Sequence, residues 1–262
     1  MTPPLHLYKY RSLQGDLARK HTKATLLNQE LYFALHTEFN DLFDCNIHIS
    51  PTADPATCTS RLRELNPEMS DTEIDALVQR ELSSERVAEI DGRVRDAVSQ
   101  ELARVGTLSL SAKADDLLMW SYYADGHRGV CLQFALCDGK LFGCDVTEVH
   151  YENQYPSLSV YDEPTLEWVG HYLSTKARAW EHEEEWRIFW KIPGVNQFPA
   201  EELSGVIFGA RIPPQDRAEI LGWIAASRAA PVLYQARPKV ASFGVDIVPL
   251  EDVGGGDRPT PA

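Results

Sequence analysis

The sequence predicts an α+β fold built on a split, mixed or antiparallel β-sheet, with flanking helices and a helical insertion. Segments in which apolar and polar residues alternate, the pattern of half-buried strands, outnumber the helical segments between them. A highly charged helical stretch at residues 54–106 interrupts these strands. Such a stretch is typical of an insertion with a solvated face.

The length and net charge of the chain limit the kinds of partner that we expect it to bind. The chain has 262 residues, of which 44% are hydrophobic and 24% charged, as expected of one globular domain over residues 1–250. Its formal net charge of −14 disfavours non-specific binding to nucleic acid, which depends on cations that neutralise phosphates. Small molecules or proteins are therefore the expected partners.

The cysteines and the absence of an apolar leader indicate the compartment. Five cysteines form no disulfide framework and are expected to be small core residues. No signal-peptide pattern and no apolar run of about 18 residues is present, so we expect no membrane contact and a cytoplasmic location.

The first half of the chain contains two strands followed by the insertion. Ser70–Glu73 has the pattern of a helix cap, Gly106 is a stop signal, and the Ser, Thr, Pro and Ala content of 50–60 indicates a loop. The predicted elements are a strand at 5–10, a helix at 12–30, a strand at 30–35, a turn at 39–44, a loop at 50–60 and helices over 71–105.

The second half alternates strands with three helices and ends in a Gly- and Pro-containing tail, 251–262, that we expect to be disordered. The predicted strands are 107–111, 129–136, 146–151, 183–190, 206–209, 231–234 and 245–248. The predicted helices are 115–124, 163–180 and 214–227.

The segment from Glu183 to Trp190 is the most informative one. As a strand, it places Glu184, Trp186, Ile188 and Trp190 on an apolar face and Glu183, Glu185, Arg187 and Phe189 on the other face. An ionised carboxylate beneath a sugar ring stabilises the cation that forms when an N-glycosidic bond breaks. Glu185 is therefore the candidate catalytic residue and Glu183 its helper. The competing interpretation is a solvated acidic turn in which Glu185 pairs with Arg187.

Aromatic residues cluster near the predicted strand ends, where flat rings beside polar donors favour stacking of a nicotinamide or adenine. Core packing is the competing interpretation for each ring. Lys176 is expected to lie on the surface, although it could also hold a glutamate or a phosphate. The candidate nucleotide-binding residues are Tyr8, Tyr10, Arg11, Tyr32, Phe33, Asn40, Trp120, Tyr123 and Arg187.

Several common sites are missing from the sequence. It contains no phosphate-binding P-loop, no dinucleotide glycine fingerprint and no nucleophile elbow. Cys45 and His48 form an isolated pair without a second pair to complete a zinc site. No metal site is predicted from these spacings.

In combination, several segments resemble the bacterial domain-of-unknown-function family 2971 over about residues 5–250. Tyr122 departs from that pattern, in which this position is often His. The segments are Leu7–Arg11, Leu31–Ala34 with Phe39–Asp41, Met119–Ala124 with Gly129–Cys131, Lys176–Trp180, Glu183–Arg187 and Val206–Gly209.

The order of these motifs is similar to that of the ADP-ribosyltransferase superfamily. The resemblance implies an ADP-ribosyltransferase-like split sheet, NAD as the consumed substrate, and a macromolecular acceptor or water, in a toxin or phage-defence setting. By position, Tyr10 or Arg11 would grip the nicotinamide nucleotide and Tyr32–Ala34 would line the pocket. Glu185 would be the catalytic glutamate, assisted by Glu183.

Two other functions stay open. A metal-dependent nuclease or phosphodiesterase would use four carboxylates as ligands, namely Asp41, Asp44, Glu183 and Glu185. A non-enzymatic sensor or adaptor would bind a nucleotide or peptide in the aromatic cleft without turnover.

Overall fold

The protein is a mixed α+β structure organised around a large mixed β-sheet. The computed structural model describes residues 2–46, 48–50, 55–159 and 166–250, with the backbone alone for 48–50, 158–159 and 166–169. The predicted disorder of 251–262 concerns residues outside these ranges. Among the described helices, none is both long and apolar enough to cross a bilayer.

The helices flank the sheet and form the insertion. They are α1 Asp16–Asn28, α2 Pro55–Leu65, α3 Asp71–Glu81, α4 Ser84–Leu102, α5 Leu117–Tyr123, α6 Leu166–Leu173 and α7 Pro214–Ala225. Short 3₁₀ helices cover His36–Glu38, Arg178–Glu183 and Ala200–Glu202.

Most strands are short, and half of them belong to the large sheet. They are β1 His6–Arg11, β2 Glu30–Phe33, β3 His48–Ser50, β4 Gly106–Ser111, β5 Val130–Ala135, β6 Lys140–Leu141, β7 Cys144–Asp145, β8 Thr147–Glu148, β9 His150–Glu152, β10 Ser157–Ser159, β11 Thr175–Ala177, β12 Glu185–Trp190, β13 Gly194–Gln197, β14 Leu203–Phe208, β15 Val232–Pro238 and β16 Val245–Pro249.

The large sheet has the order β16-β15-β14-β5-β1-β4-β12-β8. Its neighbours are antiparallel except β14 and β15, which run parallel. A parallel pair requires a crossover connection, and α7 supplies it. Pro214 begins α7 at a position where the missing N–H costs nothing, while Ile220 and Trp223 bury its inner face.

The core lies on both faces of β5. Val130, Leu132 and Phe134 are fully buried on one face and Cys131 on the other. The near-continuous apolar sequence of this strand is the pattern of a strand covered on both sides. β5 therefore anchors its neighbours β1 and β14 in register, and β1 is the strand that carries the first pocket residues.

Helices α2, α3 and α4 fill the predicted insertion. The Ser70 side chain accepts a hydrogen bond from the Glu73 N–H, and the Glu73 carboxylate accepts one from the Ser70 N–H. This reciprocal pair confirms the predicted cap. A small cluster formed by Cys58, Ile74 and Val78 packs α2 against α3. The loop predicted at 50–60 is wrong from Pro55 onward, since α2 starts there.

The helix predicted at 163–180 is wrong in its second half. Helix α6 ends at Leu173, β11 follows beside β9, and a 3₁₀ helix then runs to Glu183. The Ser174 and Thr175 hydroxyls donate to carbonyls of the last helical turn, which satisfies helix-end groups that a longer helix would have paired. This early end decides where Lys176 lies.

We expect Gly129→Ala to lower the free energy of unfolding by more than about 2 kcal/mol, because a core overpacked by one methyl costs energy of this order. A Cβ on Gly129 would lie 2.0 Å from the Arg11 carbonyl oxygen. Urea unfolding measures the change. Gly92→Ala is the matched control: a Cβ there meets nothing within 4 Å inside α4, so we expect a gain of about 0.5–1 kcal/mol. Equal values for the two variants would contradict the packing argument.

Candidate active site

The sheet opens into a cleft between β1 and β4. These strands pair at a single position, Tyr8 with Ser111, and β4 then pairs with Ala34 at Thr107 instead. Between these points the Ser109 carbonyl accepts a hydrogen bond from Lys9 Nζ at 2.7 Å rather than from a strand. A cavity of about 290 Å³ occupies the opening.

Both predicted catalytic glutamates line this cavity, although only 3% of Glu183 and 4% of Glu185 are exposed. Glu185 begins β12 opposite Ser111, whereas Glu183 ends the preceding 3₁₀ helix instead of belonging to the strand. Glu184 lies between them in a left-handed conformation, φ 41°, and its carboxylate pairs with Lys113 at 2.6 Å. That turn brings its two neighbours to the same cavity. The solvated position in the competing interpretation is therefore wrong for both glutamates, although the pairing of Glu185 with Arg187 that it named is confirmed.

Two buried cations hold the glutamates. Lys176 Nζ lies 2.6 Å from Glu183 Oε2 and 2.8 Å from Glu185 Oε2. Arg187 Nε donates to Glu185 Oε1 at 2.8 Å, and its Nη1 and Nη2 donate to Asp44 at 3.0 and 2.5 Å. The expected surface position of Lys176 is wrong, because β11 carries its side chain inward.

The ion pairs fix the charge of these groups. Burial opposes ionisation of Glu185, but Arg187 and Lys176 outweigh it and hold the pKa of Glu185 below its usual range. Burial likewise opposes the charge of Lys176, and Glu185 and Glu183 overcome it, which raises the pKa of Lys176. Glu185 and Lys176 are therefore both charged at neutral pH.

Glu183 has more hydrogen-bonding capacity left than Glu185. Tyr123 Oη donates to Glu183 Oε1 at 2.6 Å and accepts from Asn40 Nδ2 at 3.1 Å. Glu185 Oε2 already accepts from both Lys176 and Arg187. Since each carboxylate oxygen accepts about two hydrogen bonds, Glu183 is the better placed of the two to meet a ligand.

Lys9 is a functional candidate that the sequence did not reveal. It lines the cavity and forms no ion pair with a carboxylate among the described residues. Burial and the Arg11 guanidinium lower the pKa of Lys9 to about 7, while Glu185 and Glu183 act in the opposite direction. The alternation of side chains in β1 could have indicated its burial, because it places Lys9 on the same face as the fully buried Leu7.

The predicted aromatic lining is correct in part. Tyr8, Tyr10 and Tyr32 line the cavity, as do Asn40 and Tyr123. The Tyr32 ring stands at the exposed side and its hydroxyl donates to the Glu38 carboxylate, whereas only 5% of Tyr10 is exposed and its hydroxyl donates to the Lys113 carbonyl.

Four other predicted binding residues do not line the cavity. Phe33 faces the core beside Trp190, because alternation in β2 turns it away from Tyr32. Trp120 is fully buried and donates to the Ala114 carbonyl. Arg187 lies behind Glu185, and Arg11 lies beyond the cavity, where burial lowers its pKa to about 10.

The carboxylates named for a metal site meet cations instead of a shared centre. Asp44 and the two glutamates surround Lys176 and Arg187, while Asp41 accepts from the Phe43 N–H. The described residues contain no group of three or more His, Cys, Asp or Glu placed to hold a metal ion. Cys45 is buried and its pKa is raised to about 12, and the side chain of His48 lies outside the described part.

A second cavity, of about 280 Å³, lies on the other side of Lys176. Asn46, Tyr155 and Thr175 contribute to its walls. Lys176 is the residue that borders both cavities while its ammonium contacts the glutamates of the first.

We expect Arg187→Met to destabilise the fold by about 3–5 kcal/mol, because it leaves Asp44 and Glu185 buried without their cation. Urea unfolding measures the loss. Arg104→Met is the control, since Arg104 pairs with Glu101 while 72% of its side chain is exposed, and we expect no measurable change. Equal stability of the two variants would show that the buried network contributes nothing.

We also expect the free energy of unfolding to rise with pH from about 7 toward 9. The unfolded chain keeps Lys9 protonated up to its ordinary pKa of 10.5, whereas the folded protein releases that proton at about pH 7. Because the folded state binds fewer protons in this window, higher pH favours it. Lys9→Met should flatten the rise in urea unfolding curves measured across that range. An unchanged slope would contradict a lowered pKa.

No protein-family model, curated protein or solved structure matches this chain. The resemblance to family 2971 and to the ADP-ribosyltransferase superfamily stays a prediction from the residues that suggested it.

Proposed function

We propose that the β1–β4 cleft is the active site of an NAD-consuming enzyme that transfers ADP-ribose to an acceptor or to water. One observation carries this proposal: Glu183 and Glu185 line the same sheltered cavity as Tyr8, Tyr10 and Tyr32. The cavity of about 290 Å³ is suited to the nicotinamide–ribose end of NAD⁺, with the remaining nucleotide extending toward the open side.

The charges in the cleft suit cleavage of an N-glycosidic bond. When the bond between ribose C1′ and nicotinamide breaks, its electron pair leaves with nicotinamide and the sugar becomes an oxocarbenium ion. In formal charge, Glu183, Glu185 and Asp44 exceed Lys176 and Arg187 by one negative charge. Lys9 lines the same cavity, but its lowered pKa of about 7 lets it offset this excess only in part. As the bond breaks, the positive charge of the nicotinamide ring moves onto the ribose. Carboxylates beside the ribose therefore stabilise the transition state more than the ground state.

The two glutamates have different roles in this mechanism. Glu183 has free accepting capacity and receives a hydrogen bond from Tyr123, so it faces the ribose and accepts the proton of the attacking group. Glu185 holds Lys176 and Arg187 in place, and Lys176 in turn contacts Glu183. The geometry thus supports Glu183, rather than Glu185, as the carboxylate in contact with substrate.

The alternatives have less support. A metal-dependent phosphodiesterase needs carboxylates that converge on an ion, whereas here Lys176 and Arg187 already occupy the space between them. A sensor without turnover would use the same cavity, so the assay has to separate binding from chemistry.

The test is release of nicotinamide from NAD⁺ by the purified protein, measured by chromatography. Glu183→Gln keeps the shape and removes the charge, so we expect a loss of roughly 2–4 kcal/mol of transition-state stabilisation, or about 30- to 900-fold in rate. Glu184→Gln is the matched control: it is the adjacent glutamate, paired with Lys113 outside the cavity, and should retain full activity.

Melting temperatures measured with NAD⁺, Mg²⁺ or Mn²⁺ complete the test. Stabilisation by NAD⁺ without nicotinamide release identifies a sensor. Stabilisation by a metal ion alone supports the phosphodiesterase. Equal rates for the wild type and Glu183→Gln remove the proposed mechanism.

A further inference from the structure

Lys9 stands out among the cations of the cleft because its ammonium has no carboxylate partner in the part of the chain that the structure describes. Lys176 pairs with three carboxylates and Arg187 with two. Lys9 Nζ has one hydrogen bond, to the Ser109 carbonyl, which points it into the gap between β1 and β4. An amine has three hydrogen-bonding directions, so Lys9 keeps the others for the cavity.

The position of Lys9 suits covalent chemistry better than anion binding. Glu183 and Glu185 line the same cavity, and their negative charge disfavours a phosphate or carboxylate there. An amine without a counter-ion in an enclosed site loses its proton easily, and a neutral lysine amine is a nucleophile toward carbonyl carbon. An uncharged aldehyde is the ligand chemistry that fits both conditions.

We infer that Lys9 captures the aldehyde form of a ribose bound in the cleft as an imine on Nζ. This inference rests on the proposed function, because cleavage of NAD⁺ without transfer yields ADP-ribose, whose ring opens to an aldehyde at C1′. Lys9 then retains the product next to Glu183, which returns protons during formation and hydrolysis of the imine.

The step is balanced without an oxidant or a reductant. The nitrogen lone pair of the neutral amine adds to C1′, which forms a C–N bond. The carbonyl oxygen then leaves together with the two amine hydrogens as one water molecule, so that a C=N bond replaces the C=O bond. Hydrolysis reverses the same steps and frees ADP-ribose.

The experiment traps this imine with sodium cyanoborohydride, which delivers hydride to C1′ and leaves a stable secondary amine. The intact protein is incubated with ADP-ribose near neutral pH, and modified lysines are mapped by peptide mass spectrometry. We expect modification of Lys9 to exceed that of Lys20 and Lys140 by at least about tenfold, because those two lysines are exposed to solvent and have no cavity that holds a ribose against the amine. Modification in proportion to exposure would overturn the inference.

The pH dependence and two variants sharpen the test. Labelling of Lys9 should rise through about pH 7, the pKa set by burial and by the facing charges of Arg11, Lys176, Glu183 and Glu185. Lys9→Met removes the amine and should abolish selective labelling. Lys113→Met, which alters an exposed lysine paired with Glu184, should leave labelling of Lys9 unchanged. If Lys9→Met fails to fold, the wild-type peptide map still decides the question.

The outcomes distinguish this inference from the proposed function. Nicotinamide release without selective labelling of Lys9 overturns the inference of an imine and leaves the proposed enzymatic function in place. Selective labelling of Lys9 without nicotinamide release overturns the proposed enzymatic function and shows that Lys9 binds an aldehyde. Protection of Lys9 by carba-NAD⁺, in which a methylene replaces the oxygen of the nicotinamide ribose ring so that no aldehyde can form, supports a common ribose site.

Discussion

The buried Arg187 guanidinium is the constraint on which the rest of the site depends. Its side chain is fully buried, so each of its N–H groups needs a partner inside the protein. Asp44, Glu185 and the Leu173 carbonyl provide them. These three partners come from a loop, from β12 and from the end of α6. A single desolvated charge on β12 therefore joins that strand to the end of α6 and to a loop 143 residues earlier in the chain. The geometry of the cleft depends on this junction.

The cleft itself results from strand pairing. Strand β4 cannot stay beside β1 along its whole length because Thr107 exchanges both of its backbone hydrogen bonds with Ala34. The change of neighbour leaves part of the β4 edge without a strand, and edges of this kind usually need protection from further pairing. Here the Lys9 ammonium covers the Ser109 carbonyl, and the cavity takes the remaining space.

The sequence predicts the position of a residue where a short stretch of chain determines it, but not where contacts between separate segments determine it. The apolar run of β5, the Ser70 cap and the Glu183–Glu185 pair are visible in short stretches of sequence, and the structure confirms the first two as elements and the third as cavity lining. Burial of Lys176 depends on where α6 ends, and that end depends on pairing between β11 and β9. The prediction that Phe33 lines the cavity together with Tyr32 is wrong for a simpler reason, since adjacent residues of a strand face opposite sides.

Lys176 also acts as a partition. Its side chain lies between the cavity that Glu183 and Glu185 line and the second cavity beside Tyr155. Removing its charge would leave the two glutamates to repel each other. A shorter side chain at this position would remove part of the wall that the two cavities share. The lysine that pairs with Glu183 and Glu185 is thus also a wall shared by two cavities, so that one substitution there alters the charge and the enclosure of the glutamate cavity together.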